Sequence, residues 1–158
     1  TYVDSDWAGE REYSHTKSRT GVIILLNGLP VFWRSNKQPD TSLSSAQAEV
    51  YALAEAARDV SLRFWIAEEL LLQVTWPAII LVDNSSGIVF QQSMNPASKL
   101  KGVFDLRLNW VKELQNKDRI KAIKVDTKYN VADIFTKPLD SATRNKLMSI
   151  VDNLRDNV

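Results

Sequence analysis

The stretch Gly21-Val22-Ile23-Ile24-Leu25-Leu26-Asn27-Gly28-Leu29-Pro30-Val31-Phe32-Trp33-Arg34-Ser35 decides how the fold begins. Two apolar, β-branched runs flank Asn27-Gly28. An Asn-Gly pair in that setting suits a two-residue hairpin turn, because both residues tolerate a positive φ. Gly21–Leu26 and Leu29–Ser35 are therefore predicted to be antiparallel strands. Pro30 falls near the start of the second, where a missing N–H does least harm. Tyr2 and Val3 read as the end of a preceding strand, so three antiparallel strands open the chain.

Downstream, Thr41-Ser42-Leu43-Ser44-Ser45 offers several N-caps. From Ala46 to about Leu72 the chain is rich in Ala, Leu, Glu and Arg without Gly or Pro, which predicts one long helix. Its apolar set is Val50, Leu53, Ala54, Ala57, Val60, Leu62, Phe64, Trp65 and Leu70, with the last turns apolar on more than one face. Pro77 bars continuation, and Ile79–Val82 is a continuous apolar strand of the kind buried on both faces. Asp83-Asn84-Ser85-Ser86 leads into a short helix from Gly87 to about Ser93, and Asn95-Pro96 breaks the chain. A helix over Phe104–Leu114 carries Leu106, Trp110 and Leu114 at helical spacing, and residues 120–125 form a last strand. Two helical patterns close the chain, about Val131–Phe135 and Ser141–Leu154. Trp33, Trp65 and Trp110 are core candidates. The order βββαβαβα plus a C-terminal tail helix predicts an α/β fold: a mixed five-stranded sheet with helices on both faces.

Length and composition narrow the chemistry. At 158 residues the chain fits a single domain, 1–158, and a domain of this size buries roughly 70% of its unfolded surface. There is no cysteine, and the single His15 lies in a polar run, so thiolate and histidine metal sites are excluded. Lys and Arg number 20 against 19 Asp and Glu, a net charge of +1 that neither demands nor forbids a polyanion. Basic residues do cluster locally, at Lys17/Arg19, Arg34/Lys37, Lys99/Lys101 and over Lys117–Lys124. No 18-residue apolar stretch and no signal-peptide pattern occurs. Thr1 is not an initiator Met and a strand pattern starts at the second residue, which suggests a piece of a longer protein.

Four acids stand out by their settings. Asp4 and Asp83 directly follow apolar strand residues, Glu49 opens the long helix, and Asp133 starts the helix after the last strand. In such a sheet the ligand crevice lies outside the carboxyl ends of the strands. If the strands before Asp4 and Asp83 are neighbours, their carboxylates meet, and Glu49 and Asp133 reach the same rim. Acids gathered this way repel one another unless cations sit among them. Oxygen-only ligands favour hard ions, so Mg2+ or Mn2+ is expected and zinc is not.

Tyr2-Val3-Asp4-Ser5-Asp6-Trp7-Ala8-Gly9, Lys17-Ser18-Arg19-Thr20-Gly21, Pro30-Val31-Phe32-Trp33-Arg34-Ser35-Asn36-Lys37-Gln38, Leu43-Ser44-Ser45-Ala46-Gln47-Ala48-Glu49, Val82-Asp83-Asn84 and Asn130-Val131-Ala132-Asp133-Ile134-Phe135-Thr136-Lys137-Pro138-Leu139 follow in that order. Together they resemble the ribonuclease H domain of copia-type LTR retrotransposons, and the match spans nearly the whole chain. The resemblance implies the C-terminal module of a reverse transcriptase polyprotein that hydrolyses the RNA strand of an RNA/DNA hybrid. Asp4 would bridge two Mg2+ ions, Asp133 would help hold the one that activates water, and Glu49 and Asp83 would hold the other at the leaving 3′-oxygen. Two such ions serve both the attacking and leaving oxygens of an in-line displacement. The implied products are a 5′-phosphate and a 3′-hydroxyl. The implied partner is the polymerase module, and the implied location is an intracellular, cytoplasmic virus-like particle.

Ser5, Asn84, Ser85 and Ser44 or Ser45 are of the right type to read the 2′-hydroxyl that separates RNA from DNA, although the two serines before Glu49 also suit helix capping. The chain departs from the family where Val103 replaces the His of a Thr-Lys-His-Ile-Asp motif, and Asn109 and Trp110 stand near another usual His. No His lies between Val125 and Asp133 to assist product release. The roughly ten residues between the two middle helices leave no room for a basic helical handle, so the isolated domain is expected to depend on the polymerase module. Two rival readings remain. One is a degenerate or domesticated domain that binds hybrids or serves assembly. The other is an integrase or transposase core, disfavoured because the Glu comes second among the acids.

Overall fold

The computed structural model describes residues 1–7, 17–39, 41–42, 44–84 and 103–156. Its strands are β1 (Tyr2–Asp6), β2 (Arg19–Leu26), β3 (Leu29–Lys37), β4 (Ala78–Val82) and β5 (Ile120–Lys124). The helices are α1 (Ser45–Glu69), α2 (Val103–Asn116) and α3 (Ser141–Asp156), with two 3-10 turns at Thr127–Tyr129 and Val131–Phe135. The five strands form one sheet in the order β3-β2-β1-β4-β5. β1 pairs antiparallel with β2 and parallel with β4, and β4 pairs parallel with β5. The mixed sheet expected from the sequence is present, and the hairpin turn has φ 48° at Asn27 and 74° at Gly28. The short helix expected over 87–93 lies outside the described residues.

Side chains alternate across a strand, so β1 feeds two cores. Val3 joins Val22, Ile24, Ala78, Ile80 and Val82 beneath the buried Leu53, Ala57 and Val60 of α1. Tyr2 and Ile23 face the other way and pack with Val131, Ala132 and Val151 from the second turn and α3. Helical elements thus cover both faces. Arg34 of β3 ties the sheet edge to α1 by ion pairs with Glu55 (2.8 Å) and Asp59 (2.6 Å).

Several expectations are corrected. β1 continues to Asp6, so Asp4 sits within the strand rather than after it. β4 is not buried on both faces, because Ile79 is 39% exposed. Trp33, Trp65, Trp110, Leu62, Leu70 and Leu106 are exposed, not core. α2 instead buries Leu108 and Val111, one helical turn apart. α1 stops at Glu69 rather than near Leu72: Leu71 takes a left-handed φ of 60°, and the Leu72 N–H closes back on the Ala67 carbonyl at 2.9 Å. That is a Schellman end with leucine where glycine is usual, so the sequence carried no visible stop.

Candidate active site

β1 and β4 are adjacent, so the condition for Asp4 and Asp83 to meet is fulfilled. Asp4 projects from the middle of β1, where Gly21 of β2 is its cross-strand partner. Asp83 is the first residue beyond β4, and Glu49 lies in the first turns of α1. One carboxylate oxygen from each of Asp4, Glu49 and Asp83 lies within 4.8 Å of the others. With Ser5, Asn84, Thr127 and Lys137 they line an open cleft. The donor set is carboxylate oxygen only, which suits a hard divalent cation.

Asp133 reaches the same rim by another route. It sits in the Val131–Phe135 turn with 7% exposure, and its Oδ1 accepts from Lys137 Nζ at 3.1 Å. The same ammonium stands 3.4 Å from Asp4 Oδ2, so Lys137 lies between the two acids. Thr136 donates its hydroxyl to Asp4 Oδ2 as well. The buried Asn130 positions this turn, donating to the Val3 carbonyl (3.0 Å) and accepting from the Ala132 N–H (3.3 Å).

Crowding shows in the titration of these groups. Burial first, then the Asp4 and Asp83 carboxylates, pushes Glu49 up to about 9. Asp133 is raised to about 6, by burial and then by Asp4. Burial and Asp4 also raise Asp83, while hydrogen bonds from Thr127 and Asn130 work the other way. Burial disfavours the Lys137 charge, yet Asp4 and Asp133 outweigh it and hold the ammonium above its usual range. Burial and mutual repulsion thus both disfavour full ionisation of this cluster, and a bound cation would favour it.

Of the expected substrate contacts, Asn84 and Ser5 line the cleft, and the buried Ser5 hydroxyl has no hydrogen-bond partner among the described residues. Ser44 caps α1, accepting from the Gln47 N–H at 3.2 Å. Ser45 is exposed in the first turn, and neither serine lines the cleft. Ser85 lies outside the described residues.

Sequence reasoning gave no role to Lys137, Thr136, Asn130 or Gln38. Gln38 is buried and donates to Thr20 Oγ1 and the Ala48 carbonyl, both at 3.0 Å, while Ser42 Oγ donates to it at 2.9 Å. It thereby fixes the start of α1, and with it Glu49, against β2. The one available hint for Lys137 was its spacing of four residues from Asp133.

Solved structures share this architecture. LC11-RNase H1, isolated from compost, superimposes with a TM-score of 0.58 over 93% of this chain and 95% of its own, at 14% identity. The same protein in complex with RNA/DNA hybrid gives 0.59 at 13% identity, over 85% and 91% of the two chains. The N-terminal RNase H domain of rv2228c from Mycobacterium tuberculosis gives 0.53 at 15% identity, over 96% and 95%. No protein-family model matches. Several curated relatives are retrotransposon polyproteins. The Retrovirus-related Pol polyprotein from transposon TNT 1-94 of Nicotiana tabacum is 28% identical over 137 residues, 86% of this chain and 10% of the relative. The Transposon Ty1-JR1 Gag-Pol polyprotein of Saccharomyces cerevisiae is 29% identical over 129 residues, 80% of this chain and 7% of the relative.

The chain has the ribonuclease H fold and is similar to retrotransposon Pol polyproteins. It spans a tenth or less of the length of these Pol polyproteins. Its ribonuclease H sheet carries Asp4 on the central strand, with Asp83 just beyond the end of the neighbouring strand and Glu49 on the helix above. No helix among the described residues of this Pol relative is long and apolar enough to cross a membrane.

Proposed function

We propose that the chain is the ribonuclease H module of a retrotransposon Pol polyprotein, hydrolysing the RNA strand of RNA/DNA hybrids, with Asp4, Glu49, Asp83 and Asp133 as its metal ligands. The observation that carries this reading is the convergence of three carboxylate oxygens within 4.8 Å at the rim of a ribonuclease H sheet. The likeness to a protein solved with an RNA/DNA hybrid supports the substrate class. Two Mg2+ ions, or Mn2+ in their place, would supply charge stabilisation for the phosphoryl oxygens as the P–O bond breaks.

The chain's own groups account for the rest. Asp4, hydrogen-bonded by Thr136 and held within β1, presents its carboxylate at a fixed place. Asp83 shares the cleft wall with Thr127. Ser5 and Asn84 offer hydrogen bonds to a 2′-hydroxyl at the cleft wall. The polymerase module of the same polyprotein is the partner that would bring the hybrid to this cleft, inside a cytoplasmic virus-like particle.

The test is a Mg2+-dependent cleavage assay on a labelled hybrid, comparing the wild type with Asp83→Asn. Cleavage confined to the RNA strand and lost in the variant supports the assignment, and activity untouched by the substitution refutes it. Weak cleavage by the isolated domain that rises on fusion to the polymerase module supports the partnership, and equal activity in both forms refutes it.

A further inference from the structure

Lys137 supplies the positive charge among the described residues that line the acid cleft. Its ammonium is 3.1 Å from Asp133 Oδ1 and 3.4 Å from Asp4 Oδ2. Both carboxylates are nearly sealed from solvent, at 2% for Asp4 and 7% for Asp133, so water does little to screen them. The backbone of Lys137 is anchored: its N–H closes on the Asp133 carbonyl at 3.1 Å. The stem beyond it is a flexible four-carbon chain, and the side chain is 34% exposed, so the ammonium has a way out to solvent. It lies where any cation shared by Asp4 and Asp133 would have to lie.

We propose that Lys137 is a tethered counter-ion that competes with a divalent cation for the gap between Asp4 and Asp133. This inference rests on the reading of the four acids as metal ligands. Without metal, the ammonium neutralises two buried carboxylates and holds the Val131–Phe135 turn close to β1. A dication can engage both acids only after the ammonium swings out, because two positive charges cannot share the gap. The ion at Asp4 and Asp133 is therefore held more weakly than the ion among Asp4, Glu49 and Asp83, and the returning ammonium helps to expel it. That return gives this histidine-poor chain a means of emptying one metal position.

Calorimetric titration of the wild type, Lys137→Met and Lys137→Arg with Mn2+ tests the idea directly. The wild type should bind two ions of unequal affinity, and Lys137→Met should tighten the weaker one by at least about tenfold, a modest effect for one unit charge at this distance. Lys137→Arg, which keeps the charge and pairs with carboxylates at least as well, should not tighten that ion. A weaker ion that is unchanged or looser in Lys137→Met overturns the proposal.

A second measurement needs no variant to fold: the Lys137 13Cε resonance of wild-type protein, followed during Mg2+ addition. It should move at the concentration that fills the weaker position, and a resonance that never moves overturns the proposal. Two ions whose affinities ignore Lys137 would sink this inference alone, whereas no ion bound by the wild type would sink the metal-ligand reading with it.

Discussion

Gly21 stands opposite Asp4 in the β1–β2 ladder, and a Cβ placed on it would lie 2.8 Å from the Ala132 carbonyl oxygen and from Thr136 Cγ2. Absence of a side chain there is what lets the turn bearing Asp133 close over the strand bearing Asp4. Gly21→Ala should therefore lift the turn, destabilise the fold by about 1–3 kcal/mol as overpacking does, and reduce hybrid cleavage. Urea unfolding beside a cleavage assay checks both. A variant as stable and active as the wild type would show that the approach is not needed.

Asp83→Asn and Glu49→Gln should each abolish most Mg2+-dependent cleavage while leaving the metal-free protein as stable as the wild type or more so. Asp83→Asn removes a carboxylate raised by its neighbour Asp4, and Glu49→Gln replaces an acid that burial already keeps from ionising. Melting curves in a chelator are the measurement, and a large loss of stability in both variants contradicts the crowding described for this cleft.

Metal-free protein should lose stability as pH rises. Glu49 is pushed up to about 9 in the folded state, against roughly 4.3 in an unfolded chain, so between those values the folded state holds a proton that the unfolded state has released. Stability is then full below about pH 4 and declines towards pH 9. Asp133, raised to about 6, adds to the lower part of that window. Saturating Mg2+ should flatten the decline. Thermal melts at half-unit pH steps, with and without the ion, decide the matter.

Gln38→Leu removes the buried amide that bonds the Thr20 and Ser42 hydroxyls and supplies a second donor to the Ala48 carbonyl. A cost of about 1–3 kcal/mol is expected. Because Ala48 precedes Glu49, Mn2+ affinity should fall as well. Unaltered Mn2+ binding in a destabilised variant would confine Gln38 to a purely structural part.

Leu71→Gly, at the end of α1, should stabilise the protein by about 0.5–1 kcal/mol, since the left-handed φ of 60° suits glycine and the lost side chain is 92% exposed. A rise in Tm with unchanged cleavage is the expected outcome.

Much of the fold was legible because local chemistry and tertiary structure agree. Asn27-Gly28 has the positive φ values its turn needs, and Ser44 caps the helix that follows it. Asp83 lies just beyond the strand that the run Ile79–Val82 announced. Illegible were contacts between residues far apart in the chain. Asn130 reaches the Val3 carbonyl across 127 positions, and Thr136 reaches Asp4 across 132. Apolar spacing misled on α2 and at the end of α1. There, Trp65, Leu70 and Leu106 are as hydrophobic as the buried residues, and only the position of the sheet distinguishes them.

β1 is hydrogen-bonded to β2 on one edge and to β4 on the other, whereas the turn holding Asp133 is in no ladder and is secured by the packing of Val131 and Ala132 and by Asn130, Thr136 and Lys137. Opening of β1 requires opening the sheet, while the turn can detach alone. Amide hydrogens of β1 should thus exchange only with global unfolding, and those of residues 131–137 sooner. On warming, the cleft would come apart from one side while the molecule still counts as folded, and inactivation would set in below the melting temperature.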